Sequence, residues 1–219
     1  MTDDTPDVPA PTVRTDRLGD GWERVTTSVE RLFDAGGAAV LGHTLVFEDT
    51  ALRAAVRDTT DNAIDQSWRF FFATRLRFRP SLAPGLGLAV VLPTVRSEAV
   101  RSFVADLQDR AIDDVERGRR ERVRTANGKR VRLRQVRGRV ALADAAAAAD
   151  AAAVPDRAVP VEGWVGAWVD GAIHLAGGAY PTTRLDAVFG VDDAPLARSR
   201  EQYRTAFFDL VGAVGADQE

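Results

Sequence analysis

No cysteine occurs in the 219 residues. That absence removes disulfides, thiolate nucleophiles and cysteine-ligated zinc or iron–sulfur centres together. Histidine is nearly as scarce. Only His43 and His174 offer imidazole, so no metal site and no cofactor is expected. No window approaches the roughly 18 consecutive apolar residues of a membrane span, because charges interrupt every long hydrophobic run. The first residues, MTDDTPDVPAPTVRTDR, are acidic and proline-bearing where a secretory signal would be basic and then apolar. A cytoplasmic protein without a membrane partner is the expectation.

Lysine is also rare, since Lys129 is the only one among 29 basic residues. Aspartate far outnumbers glutamate, and alanine, valine and glycine abound. This usage resembles that of salt-adapted, high-GC organisms, haloarchaea above all, although a net charge of -3 is mild for them. The run from Trp68 to Pro93 and the stretch Gly177 to Pro181 likewise resemble an uncharacterised family of small soluble haloarchaeal proteins, a resemblance that implies no activity.

What is present is a division of faces. From Ser67 to Arg79 the chain reads SWRFFFATRLRFR. In an extended strand Trp68, Phe70, Phe72, Leu76 and Phe78 fall on one side, and Arg69, Arg75, Arg77 and Arg79 on the other. A central strand with an apolar and an outward cationic face is expected. Residues 1–18 are too poor in apolar side chains to offset the entropy of ordering, which predicts a disordered leader before a single domain over 19–219.

Within that domain, Trp22–Phe33 and Ala39–Phe47 predict a hairpin around Gly36 and Gly37, and Thr50 predicts the cap of a short helix. Leu88–Leu92 reads as a short strand. Val100, Phe103, Val104, Leu107, Ala111 and Val115 recur at helical spacing after Thr94, and Gly118 would end that helix. A last helix over Pro195–Val214 carries Tyr203, Phe207, Leu210 and Val211 on one stripe. Ala141–Ala153, alanine with aspartate, reads as a solvated connector or marginal helix. The fold class is α+β, a mainly antiparallel sheet of about six to eight strands with two long helices packed on one face. Its order loosely resembles Mog1/photosystem-II-P-type sandwiches.

The most charged segment is Arg117–Arg139, with eleven basic residues and one acid, Glu121. Ala126-Asn127-Gly128 predicts a three-residue hairpin loop with Gly128 left-handed, which pairs Val123 with Val131. That register sets Arg124 opposite Arg130 and Arg122 opposite Arg132, like charges that something must neutralise. Arg122, Arg124, Arg130, Arg132 and Arg134 are therefore candidate binders of a polyanion such as nucleic acid. Two features oppose that reading: no aromatic side chains interleave for base stacking, and molar salt would screen bare charge.

A second hairpin is predicted at Asp170-Gly171, with Trp168 across from Ile173 and Trp164 across from Gly177. Trp164 and Trp168 then form an apolar strip able to hold a ligand or a protein partner, or simply core packing. His174 falls on the other face, away from Glu162 and Asp170, which opposes a His–carboxylate dyad. No G-x-S-x-G, H-E-x-x-H or phosphate-loop pattern occurs. The leading expectation is a non-catalytic ligand- or protein-interaction module. The alternatives are polyanion binding through the arginine hairpin, and an enzyme with a site assembled near His174.

Overall fold

The computed structural model describes residues 8–35, 37–82, 87–142 and 158–215. Seven strands, β1 (Trp22–Ala35), β2 (Ala38–Asp49), β3 (Phe70–Arg79), β4 (Asp113–Arg124), β5 (Arg130–Ala141), β6 (Ala158–Asp170) and β7 (Ala172–Pro181), form one antiparallel sheet. Their spatial order is β1-β2-β3-β7-β6-β5-β4, so β7 is inserted between β3 and β6 at the sheet centre. Among the described residues the helices are α1 (Thr50–Thr59), α2 (Leu88–Asp109), α3 (Leu185–Phe189) and α4 (Arg200–Gly212), with short 3-10 turns at Thr15–Arg17 and Ala194–Ala197. The α+β class and the antiparallel sheet are as the alternation of hairpins and helices predicts.

The two long helices lie on opposite faces, not on one. Phe70 and Phe72 pack against Phe103 of α2, at ring distances of 6.5 and 5.9 Å. Phe71, between them in sequence, packs at 5.9 Å against Phe207 of α4. Three consecutive phenylalanines leave β3 apolar on both sides, and period-two alternation then demands a cover for each. The outward cationic face of β3 fails at its first member. Arg69 is buried, donates from Nη1 to Asp49 Oδ2 at 3.0 Å, and lies over the rings of Trp22 and Tyr203. Burial lowers its pKa, against the pull of Asp49. Arg77 and Arg79 are exposed farther along the strand.

Helix α2 begins at Leu88, so the Leu88–Leu92 run is its first turns and not a strand. A short apolar run has no period of its own to separate helix from strand. Val91, Val95, Ala99, Phe103 and Leu107 recur every four residues and are buried, which seats α2 on the sheet. The helix stops at Asp109, where Ala111 takes a φ of +56°. Gly118 sits instead in β4, where a Cβ would come within 2.4 Å of Gln135 Oε1. Helix α4 starts at Ser199, whose side chain and that of Gln202 cap each other's backbone.

The chain from residue 8 onward, expected as part of a disordered leader, is packed. Val8 and Val13 are buried, Val13 bridges Val214, and the Val8 carbonyl accepts from His43 Nδ1 at 2.7 Å. Of the Ala141–Ala153 connector, residues 143–153 lie outside the described residues. None of the described helices is long and apolar enough to cross a membrane.

Candidate functional site

The arginine hairpin forms in the register its turn chemistry predicts. Arg124 pairs with Arg130, Val123 with Val131 and Arg122 with Arg132, and Gly128 has a φ of +73°. Beyond these, Arg120 stands across from Arg134, so three like-charged pairs share one face of β4 and β5. Alternation turns Val131, Leu133 and Gln135 to the other face, where they are buried. A bulge between Arg117 and Arg120 returns Arg117 to the arginine side.

That side is the face α2 covers. Pro93, Arg96, Ser97 and Val100 of α2 form one wall of a cleft of about 530 Å³, and Arg117, Arg120, Arg132 and Arg134 form the other over a floor of Val165 and Gly166. Two of the guanidinium groups are held in place. Arg96 Nε donates to the Ala167 carbonyl at 3.0 Å, and Arg134 Nη1 donates to the Gly118 carbonyl at 3.0 Å. No aspartate, glutamate or aromatic residue lines the cleft.

Nor do carboxylates reach these arginines from elsewhere among the described residues. In the segment's ion pairs, Arg119 takes Glu121, Lys129 takes Asp170 and Arg139 takes Asp114. The five cleft arginines have none. Partial burial lowers the pKa of Arg96, with the charge of Arg132 adding to it. Burial likewise lowers that of Arg134, followed by the charges of Arg120 and Arg117. The lining of the pocket supplies no counter-charge to any of the five.

Arg122, Arg124 and Arg130 continue the same face beyond the cleft, exposed. The sequence reading missed Arg96, Arg117 and Arg120 as members. For Arg96 a signal existed: it sits between Val95 and Ala99, on the flank of the buried stripe, where a cation is held close to the sheet.

The tryptophan hairpin is shifted by one residue from its expected register. Asp170 pairs with Ala172, leaving Gly171 alone at the tip, so Trp168 faces His174 and Trp164 faces Gly178. A one-residue slip moves every side chain of one strand to the opposite face. His174 therefore joins the tryptophans, stacked on Trp168 with ring centroids 5.8 Å apart. Trp164 and Trp168 are buried on the α4 side and form no open strip. His174 Nε2 donates to the Asp170 carbonyl at 3.2 Å, and burial lowers its pKa despite that bond.

Glu162 shares this face too, contrary to expectation. It lies opposite Tyr180, six residues along β7 from His174 and so about 20 Å away, which excludes a dyad by distance. Its buried carboxylate accepts from Gln135 Nε2 at 2.8 Å, Trp164 Nε1 at 2.9 Å, Tyr180 OH at 2.8 Å and the Arg200 guanidinium. Burial alone would raise its pKa. The bonds from Arg200, Tyr180 and Trp164 outweigh it and hold the group below the usual range. This cluster locks α4 to the sheet. Among the described residues no group of three or more metal-ligating side chains occurs.

A sheet with helices on both faces, and one cleft rich in unpaired guanidinium groups, defines an α+β domain with a cationic pocket. Residues 10–215 match a domain of unknown function, DUF6517, and the chain belongs to that family. No curated protein and no solved structure matches the chain.

Proposed function

We propose that this chain is a non-catalytic binding module of a salt-adapted cytoplasm whose ligand is an anion held between Arg96, Arg117, Arg120, Arg132 and Arg134. The observation that carries the reading is the carboxylate-free lining of that cleft. Arg96 and Arg134 are half-buried, and Arg117, Arg120 and Arg132 are exposed around them. An anion that accepts from their planar forks stabilises such a group, and two parallel N–H donors give directionality that screened charge lacks. At molar salt the Debye length is about 3 Å, so contact hydrogen bonding inside a cleft survives where long-range attraction does not. The absence of lining aromatics favours a compact anion over a nucleic-acid strand, whose bases would need stacking surfaces. The cleft also lacks a histidine or carboxylate to act as general base, which favours binding over turnover.

Isothermal titration of the full chain with pyrophosphate tests this. Saturable binding is expected both at low salt and near 1 M KCl. Arg120→Ser/Arg132→Ser should weaken it at least tenfold, since two charge-assisted bonds are lost at ~1.5–3 kcal/mol each. Equal affinity in the variant, or no heat with pyrophosphate, sulfate or citrate, would remove the reading.

A further inference from the structure

The arginine face does not end with the cleft. Arg120 and Arg134 form the first of three pairs directly across β4 and β5, Arg122 and Arg132 the second, and Arg124 and Arg130 the third. Each pair lies one two-residue step, about 6.8 Å, beyond the last, so the row runs about 14 Å from the cleft toward the hairpin tip. The other face of β4 is balanced, since Glu121 pairs there with Arg119 and with Arg204 of α4. The tip is anchored as well. The Ala126 amide donates to the Gly212 carbonyl at 2.8 Å, and Asn127 Nδ2 donates to Asp170 Oδ2 at 3.0 Å and to the Gly215 carbonyl at 2.9 Å. An anchored backbone lowers the ordering cost of a ligand laid along the row. We propose that this ligand is a linear inorganic polyphosphate, one end in the cleft and the chain following the three pairs outward. The proposal rests on the anion-binding reading above and names its ligand class.

Charge density selects the polymer. The row offers two guanidinium groups per ~6.8 Å, whereas an extended acidic peptide presents one carboxylate per ~6.8 Å on each face. Polyphosphate carries negative charge on every phosphate, and so can satisfy both arginines of a pair. A nucleic-acid duplex is also densely charged, but a cleft of about 530 Å³ under α2 admits a bare phosphate chain and no duplex. A single strand would enter without the aromatic surfaces on which its bases stack.

Titration calorimetry of the full chain with pyrophosphate, tripolyphosphate and linear hexaphosphate, at the higher salt used above, reads the row against the cleft. One further charge-assisted bond is worth about tenfold, and five adjacent phosphate pairs in place of one multiply that by about five. Hexaphosphate should therefore bind at least about fiftyfold tighter than pyrophosphate, with tripolyphosphate between them. Arg122→Thr/Arg124→Thr/Arg130→Thr removes only arginines outside the cleft, breaks no ion pair among the described residues and keeps good strand formers. It should cut the hexaphosphate advantage to about fivefold or less, the statistical share. Pyrophosphate affinity should stay within about twofold, because screening confines each lost charge to about 3 Å. An equal affinity for hexaphosphate and pyrophosphate in the parent, or an advantage that the variant keeps in full, would overturn the polymer and leave the cleft reading standing. Hexa-aspartate or a short DNA duplex binding as tightly as hexaphosphate would give the face to another polyanion and overturn it too. Failure of pyrophosphate and both longer phosphates would remove both readings.

Discussion

Arg122 stands directly across from Arg132 on the α2 face of the sheet, and neither meets a carboxylate among the described residues. Like charges in that position destabilise a strand pair by about 0.2–1 kcal/mol. Arg122→Thr, which keeps a good strand former, should therefore stabilise the protein by that amount at low ionic strength. Near 1 M salt the gain should vanish, as screening already removes the repulsion. Urea midpoints at the two salts decide the matter, and a variant no more stable than the parent at low salt would show the pair to be neutralised.

How much of this was legible beforehand differs between the two hairpins for a physical reason. In Ala126-Asn127-Gly128 the turn rule and the side-chain pattern agree, because pairing Val123 with Val131 keeps apolar groups together. In Asp170-Gly171 the same rule predicts a two-residue loop, but the chain turns on Gly171 alone, with a φ of +67°. Trp164, Val165, Ala167 and Trp168 are apolar on both faces, so no pattern existed there to correct the slip. Phe70, Phe71 and Phe72 concealed the second helical layer in the same way. The cleft itself was half legible. Its hairpin wall follows from local register, while the sequence marks Arg96 only as a cation on the flank of the α2 stripe, and which strands that flank meets is set by long-range packing.

Glu162 joins β6 to β5, β7 and α4 through its bonds to Gln135, Tyr180, Trp164 and Arg200. Glu162→Gln puts an amide donor where two other donors already point, and should cost about 1.5–3 kcal/mol. The pH dependence has a definite sign. An unfolded glutamate titrates near 4.3 and the folded group lies below its usual range, so the unfolded chain protonates first as pH falls. The stability it contributes is full above about pH 4.3 and is lost as pH falls through the folded value. Urea unfolding between neutral pH and about pH 3 should show a shallower acid slope in the Gln variant, and parallel slopes would refute the assignment.

His174 makes a separate contribution at milder acidity. Its folded pKa is lowered, chiefly by burial against Trp168, whereas an unfolded histidine titrates near 6.5. The groups facing it are Arg75 on β3, which opposes protonation, and Asp170 with its carbonyl, which favours it. Below about pH 6.5 the unfolded chain gains a proton that the folded chain resists, so stability falls with pH from there to the folded pKa. His174→Phe, which preserves an aromatic ring beside Trp168, should flatten the stability profile between about pH 7 and 5. An unchanged slope in that window would mean that the imidazole is free to charge.

Two glycines show how closely the helices press on the sheet, and they should differ in tolerance. A Cβ on Gly163 would meet the Phe103 ring at 2.9 Å, and a side chain can turn aside. A Cβ on Gly178 would come within 2.1 Å of the Phe70 carbonyl oxygen and 3.0 Å of the Phe71 Cα, and backbone held in the β3–β7 ladder has no such freedom. Gly163→Ala should cost about 1–2 kcal/mol, within the ordinary range for overpacking. Gly178→Ala should cost ~3 kcal/mol or more, as it forces the central strands apart beneath Phe207. For a domain of this size each kilocalorie lowers Tm by roughly 2–4 °C, so thermal unfolding separates the two. Equal shifts would mean that β3 and β7 slide past each other more readily than their pairing implies.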